Sequence, residues 1–416
     1  MRLAEIIASA ALAASGCATA GQSTPSLPSG GDPSSIAAAN TQFGLELYKR
    51  IAADNDGDIT ISPASISAAF ALAYPGARGE TAKEIANVLH FAPESAEFRA
   101  DMAAFLGLMS VEREKMNITT ANSAWFDRRT IVEDEFVAAI KTAYGAKEKR
   151  VNFRTGADAS REKINQWVED RTNDRILDLL SADDVTDDTR FVLVNAIYFN
   201  GKWSSPFDVD ATQKREFRSG GETLSVDMMA RTGNYQVIDK GDFRAISIPY
   251  DDGAYSMAVF LPRADDGLAG FEAEMTPAAF KDWFGELDSA RSREVALNLP
   301  KYQRRKSFKL KGELIAMGMP EAFSNMADFT GMVDPSKQPP GDSSVKIGNV
   351  VHQTFLKVDE SGTEAAAATA IVGVRTTSLR PPPVPFNVNH PYFFVIRHNE
   401  TGAVLFMGRV TDPTEA

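Results

Sequence analysis

Residues 191–203, Phe-Val-Leu-Val-Asn-Ala-Ile-Tyr-Phe-Asn-Gly-Lys-Trp, place the strongest condition on the fold. A strand that is apolar on both alternating faces cannot lie in a sheet with one wet side. It belongs in the middle of a sheet covered above and below. The chain must therefore supply layers for both faces, and its patterning does so. Further strands are expected at 59–61, 118–126, 245–249, 256–262, 295–302, 392–397 and 404–410. Phe43, Leu47 and Ile51 have helical spacing, and helices are expected at 133–144, 158–171, 277–287 and 310–317. Ser62 is a good cap for a helix with Pro63 in its first turn, carrying Ile66, Phe70 and Ala73 inward and ending at Gly76. Thr81 is expected to cap the next helix, which turns Ile85, Val88 and Leu89 inward. No internal repeat and no clean linker divides residues 36–416, so the mixture of helices and strands reads as one large α+β unit.

One segment resists assignment from local preference. After Lys357-Val358-Asp359-Glu360-Ser361-Gly362 comes a run to Arg380 with no proline, in which Glu364 is the only acidic residue; Pro381, Pro382 and Pro383 then stop it. Ala365, Ala366, Ala367 and Ala368 favour helix, whereas Thr369, Ile371, Val372 and Val374 favour strand. With a period of two, Thr363, Ala365, Ala367, Thr369, Ile371 and Gly373 share one face, and each is small or apolar. That face can be buried in a sheet without stranding a charge. The segment is either a flexible linker or a loop able to become a strand.

The N-terminus reads as an export signal. Met1-Arg2 is a basic start, residues 6–14 form an apolar stretch too short to span a bilayer, and Ser15-Gly16 precede Cys17, the chain's single cysteine. Small residues before a lone cysteine resemble a bacterial lipoprotein processing site at which Cys17 is acylated. Ala14, where leucine is usual, and Glu5 depart from that pattern, and simple secretion is the alternative. Residues 18–35, rich in Ser, Thr, Pro and Gly, read as a tether, with order beginning near Ile36. One cysteine allows no intrachain disulfide, so the core alone must stabilise the fold. A net charge of −12 argues against a nucleic-acid or anionic-membrane surface, and Gln303-Arg304-Arg305-Lys306 reads as a solvated edge.

Catalytic motifs are lacking. The four histidines, His90, His352, His390 and His398, sit in no metal-binding or nucleophile pattern. There is no Gly-x-Ser-x-Gly elbow, no His-Glu-x-x-His and no phosphate-cradling loop. Ser160-x-x-Lys163 matches one nucleophile spacing but lies on a polar helix without companion motifs. No cofactor is called for.

Glu360-Ser361-Gly362-Thr363-Glu364-Ala365-Ala366-Ala367 closely resembles the reactive-loop hinge of the serpins, a family of suicide serine-protease inhibitors. Residues 385–394, Pro-Phe-Asn-Val-Asn-His-Pro-Tyr-Phe-Phe, resemble that family's C-terminal signature, and the stretch from Ile61 to Thr81 resembles it again. The resemblance covers residues 36–416. It implies about nine helices on three sheets, an exposed reactive-centre loop and a metastable monomer. It also implies that Ser62, Ser65, Asn195 and His352 form a cluster under the central sheet where strands must part. Glu360 and Lys301 are expected to pair near Trp203, where the loop first inserts. The implied partner is a serine protease of elastase, subtilisin or trypsin type, held as a covalent complex. Counting along the loop puts the reactive bond between Thr376 and Thr377, or between Arg375 and Thr376 if the loop is one residue shorter. A non-inhibitory carrier is the alternative function.

Overall fold

The computed structural model describes residues 30–146, 148–339, 345–363 and 382–415. The leader, Cys17, most of the tether, Glu364 to Ala368, and Arg375, Thr376 and Thr377 lie outside these residues. Nine α-helices and sixteen strands occur among the described residues, in a seven-stranded central sheet and a nine-stranded array that divides into two sheets sharing one long strand.

The run that opened the sequence reading becomes Phe191–Lys202, in the central sheet. That sheet runs in the order Tyr302–Lys309, Val351–Val358, Gly362–Thr363, Phe191–Lys202, Met116–Asp127 and Val111–Arg113, with Glu148–Val151 also paired to Met116–Asp127. The expected double coverage is observed. Phe191, Leu193, Ile197 and Phe199 join the main core. Val192, Val194 and Ala196 face the other way, into a second apolar cluster with Ile164 and Val168 of the helix Ala157–Arg171.

A second sheet carries Ile59–Ile61, Val404–Val410, Tyr392–His398, Tyr255–Pro262 and Phe243–Tyr250 in that order. A third carries Gln213–Ser219, Glu222–Asp239, Arg293–Pro300 and Val384–Asn387. The long strand Glu222–Asp239 serves both: residues 228–235 pair with Arg293–Pro300, and residues 236–239 pair with Phe243–Tyr250. Helix Pro63–Ala73 is buried along its whole length and packs on the central strands and on Val404–Val410. Its start is as expected: Ser62 Oγ accepts from Ser65 N at 3.2 Å, and Pro63 fills the first turn, where no intrahelical N–H is needed.

Several expectations need correction. The first helix begins at Pro33, capped by Asp32, and so takes in the last three residues assigned to the tether. Thr81 does not cap a helix. Gly79–Leu89 begins two residues earlier, and buried Thr81 donates to Glu321 Oε1 while accepting from Asp328 N. The strand expected over 295–302 is two strands, and the basic patch lies within the second of them, Tyr302–Lys309. In that patch Arg304 is 1% exposed, not solvated: its guanidinium pairs with buried Asp58, and both charges are withdrawn from water together.

Candidate functional site

The strands Phe191–Lys202 and Val351–Val358 run parallel and pair directly over only four residues, 195–198 with 352–355. Beyond that point they separate, and Gly362–Thr363 lies between them, antiparallel to both: Thr363 stands opposite Val358 on one side and Gly201 on the other. The central sheet is therefore closed at one end and parted at the other by two residues of the chain's own following segment.

Local chemistry makes this wedge possible. Val351–Val358 ends in a tight reversal in which Asp359 N donates to Gly362 O at 2.8 Å, and Asp359 Oδ1 accepts from Ser361 N and Ser361 Oγ at 3.0 and 2.8 Å. At Gly362 a Cβ would lie 2.1 Å from the Gly201 carbonyl oxygen, so only glycine allows the backbones to approach this closely. Thr363 is fully buried, and its hydroxyl meets Tyr250 Oη at 2.7 Å. Tyr250 in turn stacks on Trp203, ring centroids 4.5 Å apart and 12° from parallel.

Trp203 begins a strap that clamps the reversal. Its backbone N donates to Ser361 O at 2.9 Å and its Nε1 to Asp359 O at 2.9 Å; four residues on, Phe207 N donates to Glu360 O at 2.7 Å. The Glu360 carboxylate accepts from Lys301 Nζ at 2.9 Å and from Thr212 Oγ1 at 2.8 Å. Burial pushes the Glu360 pKa up, but these donors outweigh it and hold the carboxyl below its ordinary value. The expected pairing of Glu360 with Lys301 near Trp203 is present.

At the closed end, His352 is 1% exposed and its Nε2 accepts from Ser62 N at 2.9 Å. Accepting at Nε2 requires the ring proton on Nδ1. Burial lowers its pKa from 6.5 to about 3, so the imidazole is neutral. Asn195 stands opposite His352 in the ladder, and Ser62 and Ser65 are fully buried beneath it. His352 thus ties Ser62, at the start of helix Pro63–Ala73, to the level at which the two parallel strands pair. On helix Ala157–Arg171, Ser160 is buried and Lys163 exposed.

Sequence reasoning missed Tyr250, Thr212, Asp359 and Phe207. Tyr250 lies 113 residues from Thr363 and simply ends an apolar strand. Nothing local marks it.

A mixed α+β protein whose central sheet is parted at one end by its own succeeding loop is a narrow structural class. Residues 38–413 match the family model "Serpin (serine protease inhibitor)", and the chain belongs to the serpin family. An uncharacterised serpin-like protein of Methanosarcina mazei is 34% identical over 91% of this chain and 87% of its own length. Uncleaved ovalbumin is similar in structure, with TM-score 0.82 and 29% identity over 91% of this chain and all of its own. Human thyroxine-binding globulin, solved with thyroxine, matches with TM-score 0.80 and 25% identity over 92% of this chain and all of its own. The family is one of protease inhibitors.

Proposed function

We propose that this protein is a suicide-substrate inhibitor of serine endopeptidases, and that Gly362–Thr363 is the leading end of the strand it inserts. The observation that carries this reading is the parted sheet. Thr363 already occupies the slot between Phe191–Lys202 and Val351–Val358. The residues that follow it on the same face, Ala365, Ala367 and Thr369, would bring no charge into that slot.

The protease attacks the scissile carbonyl between Thr376 and Thr377, or between Arg375 and Thr376, and forms an acyl-enzyme. Cleavage releases the segment from its C-terminal anchor. Each further residue then separates one more pair in the register 195–198 with 352–355 and replaces it with two new ladders. Insertion of about fifteen residues at ~3.3 Å each carries the acylated protease ~50 Å toward the opposite pole. Roughly ten to twenty new hydrogen bonds at about 1 kcal/mol net each oppose the distortion of the protease's oxyanion hole, and deacylation stalls. Sequence supports export, with Cys17 as the lipid attachment point or, without acylation, secretion into the extracellular space. Among the described residues no helix is long and apolar enough to cross a membrane.

The test is a denaturing gel of residues 30–416 with elastase-, subtilisin- and trypsin-like proteases, plus mass spectrometry of the released peptide. A covalent band with a peptide beginning at Thr377 or Thr376 is expected. Ala367→Arg, which would bury an unpaired cation, should convert inhibitor to substrate; an undiminished covalent band for that variant would sink the insertion argument. Similarity to thyroxine-binding globulin supports a second reading, a non-inhibitory carrier. Clean cleavage without a covalent band for every protease favours that reading.

A further inference from the structure

The strand Glu222–Asp239 carries Arg231, Gly233 and Tyr235 at alternate positions, hence on one face. They line a cavity of about 40 Å³ together with Ser205, Ile248 and Pro249. Gly233 creates the space: a Cβ there would lie 3.1 Å from the Tyr235 ring and 3.3 Å from Arg231 Nε. Tyr235 is 5% exposed, and neither its hydroxyl nor Arg231 Nε has a hydrogen-bond partner of ordinary geometry in the protein. The two groups are near each other, since the guanidinium opposes the rise that burial imposes on the Tyr235 pKa. The guanidinium thus lies within donating reach of the Tyr235 oxygen, and both groups border one small space.

The surroundings supply no counter-charge. Arg231 forms no ion pair with any carboxylate among the described residues; its Nη1 donates to the Pro206 carbonyl, and its side chain also approaches the Tyr235 hydroxyl. Across the ladder on the same face stand Leu297, Val295 and Arg293, two apolar residues and another cation, while Glu294 faces away opposite Asn234. Water could accept from both donors but would leave the guanidinium unneutralised. A carboxylate satisfies both donors and the charge, and the cavity has room for about that one group, not for a whole ligand.

We propose that Arg231, Tyr235 and the floor provided by Gly233 form a binding site for a single carboxylate group. The exposed Ser205 marks the side from which it enters. The site touches the clamp described above, because the Pro206 carbonyl held by Arg231 lies in the strap between Trp203 and Phe207. A bound carboxylate drawing on the same guanidinium is thus expected to alter Trp203 emission.

The experiment is calorimetric titration and thermal unfolding of residues 30–416 with sodium formate, against sodium chloride at equal ionic strength. N-acetylaspartate amide serves as a stand-in for a protein side chain. Formate is expected to raise the unfolding midpoint by about 2 °C once it exceeds its Kd roughly tenfold. Gly233→Ala, which fills the space and leaves both donors in place, should abolish the shift, and Tyr235→Phe should weaken binding by about tenfold. Binding of the aspartyl compound without formate would keep the carboxylate site and assign its occupant to a partner protein. Equal midpoints in formate and chloride with no heat from either compound, or a formate effect that survives Gly233→Ala, would overturn the proposal and leave a hydrated cavity. These readouts need no protease, so their outcome is separate from that of the inhibition assay.

Discussion

The gap between Phe191–Lys202 and Val351–Val358 is held at both ends, but by contrasting chemistry. At the closed end the contact is neutral and buried: His352 Nε2 takes the Ser62 N–H, and no formal charge is involved. At the parted end an ion pair is half in water, with Lys301 41% and Glu360 9% exposed at the side chain, and an aromatic stack and three backbone carbonyls share the work. A buried neutral contact is insensitive to salt and hard to break piecemeal. A partly wet clamp is adjustable, and each of its members can be removed singly. The end at which the proposed insertion would begin is thus the one built from separable parts.

This contrast can be broken at several points, here in descending order of expected effect. Trp203→Ala removes the stack on Tyr250 and the bond to the Asp359 carbonyl, and should cost about 3–5 kcal/mol in denaturant unfolding. A loss below 1 kcal/mol would show that the clamp is held elsewhere. Gly362→Ala should expel Gly362–Thr363 from the sheet, costing roughly 2–3 kcal/mol for the ladder bonds and the Tyr250–Thr363 contact. Faster proteolysis after residue 360, with the rest of the sheet intact by circular dichroism, is the expected sign.

Acid should separate the two ends. His352, with a folded pKa of about 3 against 6.5 unfolded, favours folding only while neutral. Its contribution is whole above pH 6.5 and is lost as pH falls toward 3, at about 1.4 kcal/mol per pH unit, hence about 2 kcal/mol by pH 5. Glu360 has a depressed pKa, so its contribution is present above the ordinary carboxylate value and is lost only as pH falls through that depressed value. At pH 5 the closed end has weakened and the clamp has not. Burial also lowers the pKa of His390 and His398, so the informative measurement is the difference made by His352→Gln, which keeps an acceptor but does not titrate. An unchanged slope between pH 6.5 and 5 would remove His352 from the account. The smallest effect is expected of Lys301→Ala, about 0.5–1 kcal/mol, shrinking further in 1 M salt because the pair is partly solvated.

What the sequence disclosed follows from the range of its signals. Ser62-Pro63 declares a helix start within two residues, and the apolar run around Val192 declares a doubly covered strand, because both depend on neighbours in the chain. Resemblance marks Gly362 and Thr363 as an expected hinge, and the period-two pattern puts Thr363 on a face that can be buried. That they already lie in the sheet was not legible, since that depends on Gly201 and Tyr250 meeting them from afar. Strand Gln213–Ser219 escaped notice because only Phe217 in it is buried, so it lacks an apolar rhythm. Arg304 misled for the opposite reason. A basic tetrad looks solvated until a distant carboxylate, Asp58, is brought against it.

The alternation of Phe191–Lys202 has one more consequence. Phe191, Leu193, Ile197 and Phe199 feed the main core, and Val192, Val194 and Ala196 feed the smaller cluster beneath helix Ala157–Arg171, together with Val351 and Phe355. The sheet is thus a bulkhead between two dry compartments of unequal size. A strand placed between residues 195–198 and 352–355 would border both compartments at once, because Val194, Ala196, Val351 and Phe355 line the minor one while Ile197, Phe199, Leu356 and Val358 line the larger.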